Sequence, residues 1–199
     1  MDSIKWEIAQ AAASKIVEDG MAWAAAKRHA TEDLGLPTRT ALPDNSLVLQ
    51  AVREHIAIFG GEEQARALHD LRALAAQWMR RMAAYRPHVT GAVWLGIATR
   101  WSDVHLDLYC DDAKVPEIDL LNQGMNFDTG EGTGVRGEPV PQLIVLERLS
   151  GWDTSVAVIM TLYNADDLRG ALKADKTGQA PRGDLNALEK LINESEHSR

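Results

Sequence analysis

From Val89 to Asp111 the chain reads VTGAVWLGIATRWSDVHLDLYCD, and the second half of that stretch alternates residue by residue. Successive side chains of a strand point to opposite faces. Val104, Leu106 and Leu108 therefore share one side of an extended segment, and Asp103, His105, Asp107 and Tyr109 share the other. The first half, Gly91 to Ala98, is apolar with a glycine at Gly96, and is expected to be a neighbouring strand. The turn Thr99-Arg100-Trp101-Ser102 joins the two. A half-exposed strand usually carries Thr, Lys, Gln or Arg on its wet side. A row of Asp, His and Asp there is instead a candidate for chemistry.

Helical periodicity dominates what precedes this stretch. Ile4, Ile8, Ala12 and Ile16 recur every fourth residue, which predicts a helix over 3–18, ended by Asp19-Gly20. An alanine-rich helix over 21–33 would complete a helical hairpin covering 1–36. The phrase AAASKIVEDGMAWAAAKRHATEDLGLP loosely resembles the opening of a TetR-type regulator. A third, basic helix should then follow; the loop PTRTALPDN follows instead, so DNA reading is not expected. A helix is predicted over 46–59 and a longer one over 62–85, where Ala65, Leu68, Leu71, Ala75, Trp78, Met82 and Tyr85 form one seam. Arg86-Pro87 stops it.

Beyond Asp111 a helix is expected over 112–121, a short strand over 125–128, and then the glycine-rich loop TGEGTGVRGEPVP. Strands over 142–147 and 155–163 form a hairpin about the turn Ser150-Gly151-Trp152-Asp153. Short helices over 165–173 and 184–193 flank the polar loop KADKTGQAPRGD. Four helices, two strands, a helix, strands and two helices together predict an α+β fold. Its mixed sheet would have about four or five strands with helices on one face. The helical hairpin would precede an α+β domain over 45–199, or be continuous with it.

Composition excludes some functions. A net charge of −8 argues against a broad grip on nucleic acid. A single cysteine, Cys110, excludes an internal disulfide and a CxxC site. No run approaches the ~18 apolar residues of a membrane span. The opening MDSIKWE lacks an uninterrupted apolar core, so a cytoplasmic protein without membrane partners is expected.

A long helix, a glycine, a polar turn and then Ser102-Asp103 resemble the nucleotidyltransferase fold of the DNA-polymerase-β-like superfamily. In that family a strand ending in Gly-Ser is followed by Ser-Asp-x-Asp, whose aspartates hold magnesium, and a later strand supplies a third carboxylate. Here Gly96 stands at the glycine position and Ser102-Asp103 at the Ser-Asp, seven residues from Gly96 to Asp103. Ile97 stands where the serine belongs and His105 where the second aspartate does; Asp107 follows two residues later. The resemblance implies transfer of a nucleotide from a nucleoside triphosphate to a hydroxyl acceptor, with Mg2+ as cofactor. It implies a metal at Asp103, His105 and Asp107, and catalytic roles for Asp103, Asp107 and Glu147, the acid that ends the strand LIVLE. Gly96, Ser102, Trp101 and Arg136 would bind the nucleotide, Trp101 by stacking and Arg136 by reaching a phosphate. The alternative is a catalytically degenerate nucleotide-binding or protein-interaction module on the same fold, with a homodimer through the helices left open.

Geometry limits that metal site. Residues two apart on one strand face lie ~7 Å apart, so Asp103 with His105, or His105 with Asp107, can share one ion. Asp103 and Asp107, at ~13 Å, share one with difficulty. Gly132-Thr133-Gly134-Val135-Arg136-Gly137 matches G-x-G-x-x-G, but Glu138-Pro139-Val140-Pro141 follows where a dinucleotide site needs a helix, so a mobile loop is expected.

Overall fold

The computed structural model describes residues 3–134, 136–171 and 180–197. Residues 173–179 of the expected polar loop, the last two residues of the helix expected over 165–173, and Val135 of the glycine-rich motif lie outside the described residues. The chain forms two compact units. The first runs to Ala67 and takes in Thr99–Trp101; the second comprises Leu68–Ala98 and the chain from Ser102 onward.

The first unit is helical. Helix α1 spans Ser3–Asp19, α2 Trp23–Asp33 and α3 Asn45–Phe59. Ile8 and Ala12 of α1 pack with Ala26 and Ala30 of α2, and Ile16, Met21 and Leu36 close around them. Alanine at the seam lets the two backbones approach closely while keeping high helix propensity. Asp44 caps α3, its Oδ1 accepting the Leu47 N–H at 2.9 Å. Lys15 pairs with Asp33 at 2.6 Å and His55 with Glu18 at 3.0 Å. Helix α4, Gly61–Arg81, begins in this unit and continues in the next.

The second unit is an α+β layer. Strand β1 is His88–Thr90, the one-turn helix α5 is Gly91–Leu95, and β2 is Val104–Cys110. Then come α6 at Lys114–Asn122, β3 at Asp128–Thr133, β4 at Pro139–Glu147 and β5 at Val156–Asn164. Helix α7 at Leu168–Ala171, strand β6 at Arg182–Gly183 and helix α8 at Leu185–His197 complete it. The mixed sheet has six strands in the order β3-β4-β5-β2-β1-β6, not four or five. The addition is β6, a two-residue strand too short for any alternation to announce. Strands β2 and β5 run parallel at the centre, and the other neighbours pair antiparallel.

Three further expectations are corrected. The strand expected over Gly91–Ala98 is instead β1 followed by α5; Gly96, at φ 77°, ends that helix in the left-handed conformation that glycine adopts without strain. Val93 of α5 still reaches the core, so an apolar run serves there as a helix turn. The strand expected over 125–128 begins only at Asp128 and runs to Thr133. The glycine-rich stretch is then the tip of a hairpin: the Gly134 N–H donates to the Glu138 carbonyl at 2.6 Å, and β3 and β4 pair on either side. The hairpin of β4 and β5 is present as expected.

One face of the sheet carries the core. Val104, Leu106, Leu108, Leu143, Val145, Val158 and Met160 meet Leu71, Ala75, Trp78 and Met79 of α4, Leu120 of α6 and Leu188 of α8. Each such side chain contributes roughly 1.5–3 kcal/mol on burial. The opposite face carries the residues that follow.

Candidate functional site

His105, Asp107 and Tyr109 point to the face of the sheet away from that core. Register brings their neighbours. Thr90 of β1 lies beside His105, and His88 beside Asp107. On the other side Ile159, Thr161 and Tyr163 of β5 stand against His105, Asp107 and Tyr109 in turn. Gln142 of β4 follows, its Nε2 donating to Thr161 Oγ1 at 3.1 Å. Arg182 of β6 pairs with Thr90 in register and so enters the same face.

This face was expected to be wet, and its centre is not. Asp107 is 4% exposed and Tyr109 1%. The reason is Arg182. Its Nη1 lies 2.7 Å from Asp107 Oδ2 and also donates to the Tyr109 hydroxyl. Tyr163 stacks on Tyr109 at 5.6 Å between ring centroids, and His88 meets Tyr109 edge-on at the same separation. A cation, a carboxylate and two phenols thus form one cluster drawn from β6, β2 and β5.

Strand β6 is held in place from outside its own two residues. Thr90 Oγ1 donates to the Pro181 carbonyl at 3.2 Å, and Trp94 Nε1 to the Ala180 carbonyl at 2.7 Å. Gly183 passes beneath the Trp94 indole so closely that a Cβ there would fall 2.2 Å from the ring. Glycine at this position lets β6 reach β1, and β6 delivers Arg182.

Burial controls the electrostatics. Loss of water pushes the Asp107 carboxyl up to about 6, with Arg182 pulling the other way. Burial likewise lowers the His105 imidazole, opposed by the charge of Asp103, so the ring is neutral at neutral pH. Burial, then the Asp107 charge, raises the Tyr109 phenol to about 12. At pH 7 the Asp107–Arg182 pair therefore lies against two protonated phenols.

The residues singled out in the sequence scatter. Asp103 sits just before β2, and its Oδ1 accepts the Ala157 N–H at 3.1 Å, tying the start of β2 to β5. Glu147 ends β4 on the core face, opposite to Asp107, where its Oε1 accepts the Trp78 indole N–H at 3.0 Å. Gly96 is the cap of α5. Ser102 is half-buried in the approach to β2. Arg136 lies at the tip of the β3–β4 hairpin, where its backbone N–H donates to Glu138 Oε2 at 2.8 Å. Trp101 belongs to the first unit; its indole N–H donates to the Glu18 carbonyl at 2.8 Å, and the Arg100 guanidinium lies over its ring at 4.6 Å.

The donor set does not fit the expected Mg2+. That ion asks for oxygen ligands in a near-octahedral shell. Asp107 already faces a guanidinium, Asp103 faces a backbone N–H, and His105 offers nitrogen. Glu147 points to the other face. Among the described residues no three His, Cys, Asp or Glu side chains converge as a metal group.

Arg182, Tyr163 and His88 were not legible as site residues. Arg182 lies in a polar Pro-Arg-Gly phrase without periodicity, 75 residues from Asp107 (182 − 107). Tyr109 and Tyr163 end two apolar strands, and the tyrosine repeated at that place is the one local signal that could have linked them.

Compared with protein-family models, curated proteins and solved structures, the chain matches none.

Proposed function

We propose that the second unit is a catalytically degenerate, nucleotidyltransferase-like module that binds a nucleotide on its polar sheet face without transferring it. The observation that carries this reading is the guanidinium of Arg182 on Asp107, 2.7 Å away. A fixed cation there supplies the positive charge that the resemblance assigns to a metal, but offers no coordination site from which a hydroxyl is activated. The half-buried Tyr163, stacked on Tyr109, presents an aromatic surface on the same sheet face as Thr161 and the Gln142 that donates to it. Base stacking with hydrogen-bonding groups around it suits a nucleobase.

The test is thermal melting with ATP or CTP, each with and without Mg2+ or Mn2+, beside an assay for pyrophosphate over a set of hydroxyl acceptors. A saturable rise in Tm that needs no metal and disappears in Tyr163→Ala supports the reading. Metal-dependent release of pyrophosphate overturns it in favour of an active transferase. No shift with any triphosphate overturns nucleotide binding.

One observation favours a second reading, an interaction module. Helix α6 leaves Val115, Ile118 and Leu121 exposed in a line along its outer side. Light scattering of the native chain and of Ile118→Glu tests self-association through that helix. A dimer that dissociates in the variant supports it; a monomer at all concentrations rejects it.

A further inference from the structure

Helix α4 carries a cation that has no counter-charge among the described residues. Arg72 is 8% exposed, so more than nine-tenths of it is buried. Its Nε donates to the Val93 carbonyl at 3.4 Å, a long bond to an end carbonyl of α5. No other hydrogen bond or ion pair engages this side chain among the described residues. A guanidinium carries five N–H donors, so four are unspent. Burial alone perturbs its proton affinity, with no acid acting on it.

Arginine is almost never this buried unless paired, because a desolvated charge costs several kcal/mol unless an opposite charge and hydrogen bonds offset it. Among the described residues no carboxylate forms an ion pair with it. The missing partner therefore has to come from solvent, and the geometry provides an approach. Arg182 Nε is the only atom found both buried and unpaired among the described side chains, so the unpaired Nη atoms of Arg72 reach solvent. Beside Nη2 stands Gly96. A Cβ placed on it would lie 3.5 Å from Arg72 Nη2 and meet nothing else within 4 Å. The glycine leaves open the space that a side chain would fill.

We infer that Arg72 and the Gly96 turn form a binding site for an oxyanion, a phosphoryl or carboxylate group seated on the two Nη atoms of the guanidinium fork. Paired N–H groups of the fork match two oxygens of such a group, and a nearly dry setting strengthens the pair. The ligand enters over Gly96, where no Cβ stands in its way. This inference does not rest on the nucleotide site proposed at Asp107, Arg182 and Tyr163, which take no part in it; it shares only Gly96 with the residues that the resemblance assigns to a nucleotide.

The experiment is calorimetric titration of the full chain with inorganic phosphate, sulfate and acetate at ionic strength matched with chloride. The native protein is expected to bind at least one of them saturably; the phosphate and acetate arms tell a phosphoryl from a carboxylate preference. Arg72→Lys keeps the charge without the fork and should weaken binding at least tenfold. Arg72→Met should abolish it, while Arg28→Met, at an exposed position of α2, should bind as the native protein does. Binding unchanged in Arg72→Met, or none beyond chloride in the native protein, overturns the site. If Arg72→Met does not fold, the guanidinium N–H resonance of Arg72, assigned by its loss in Arg72→Lys, is followed in the native protein. A saturable shift with the anion supports the site, and an unmoved resonance overturns it. A failed triphosphate shift beside a successful phosphate titration would remove the nucleotide reading and leave this one standing.

Discussion

Replacing Arg182 by methionine isolates the buried pair. The substitution keeps much of the side-chain length and removes the charge that faces Asp107 at 2.7 Å. Asp107 is then a carboxylate at 4% exposure with no cation beside it. Removing one member of a buried pair costs about 3–5 kcal/mol where the remaining charge has to stay ionised. That condition depends on pH. Burial raises the Asp107 carboxyl from 3.8 to about 6 in the native state. The folded chain therefore holds this proton more tightly than the unfolded chain does. The stabilising contribution of the protonated acid is complete below 3.8 and is lost as pH rises through about 6. The shift is worth ~3 kcal/mol at 1.36 kcal/mol per unit. Without Arg182 the one influence holding that value down is gone, so the carboxyl moves higher still.

Urea unfolding of native, Arg182→Met, Asp107→Asn and double-variant chains at pH 5 and pH 8 reads this out. At pH 8 Arg182→Met should lose about 3 kcal/mol, seen as a lower midpoint at unchanged slope. At pH 5 the acid takes up a proton, and the loss should fall to roughly 1 kcal/mol, that of a neutral hydrogen bond. The double variant should recover most of the loss at pH 8, with a coupling of about 2 kcal/mol. A loss in Arg182→Met that is the same at both pH values, or a double variant whose losses simply add, would refute the claim that a buried ion pair organises this face.

Other substitutions test the remaining structure by the same unfolding assay. Gly183→Val should cost at least ~2 kcal/mol, because the new side chain meets the Trp94 ring where a Cβ already lies at 2.2 Å. It should also raise the exchange rate of the β6 amide protons. Leu106→Ala removes a fully buried side chain from the centre of the sheet and should cost 2–5 kcal/mol, roughly. Asp44→Ala removes the cap of α3 and should cost about 1 kcal/mol. Asp103→Asn keeps an oxygen for the Ala157 N–H and should change stability by less than ~1 kcal/mol, whereas Asp103→Ala leaves that N–H unpaired and should cost about 1–3 kcal/mol.

Much of this protein is written in local pattern. The seam from Leu68 to Met82 marks α4 because residues three and four apart share a helix face, and the same logic marks α1 and α3. Strand β2 follows from its alternation, and its apolar side is the core side as expected. The β4–β5 hairpin follows from two apolar runs about a glycine turn. Period and turn chemistry are short-range properties, so they survive reading one residue after another. Which strands become neighbours is not short-range. Glu147 looked like a partner for Asp107, but the register of β4 on β5 turns it to the other face, and a shift of one residue would have reversed that. The Gly91–Leu95 run is apolar enough for a strand, and packing of Val93 is compatible with the single helical turn that it forms. Asp107 reads as a solvated acid until Arg182 arrives from a two-residue strand at the far edge of the sheet. Pairing of distant segments decides burial, and burial decides the charge of each group on that face; neither is a property of any stretch of sequence by itself.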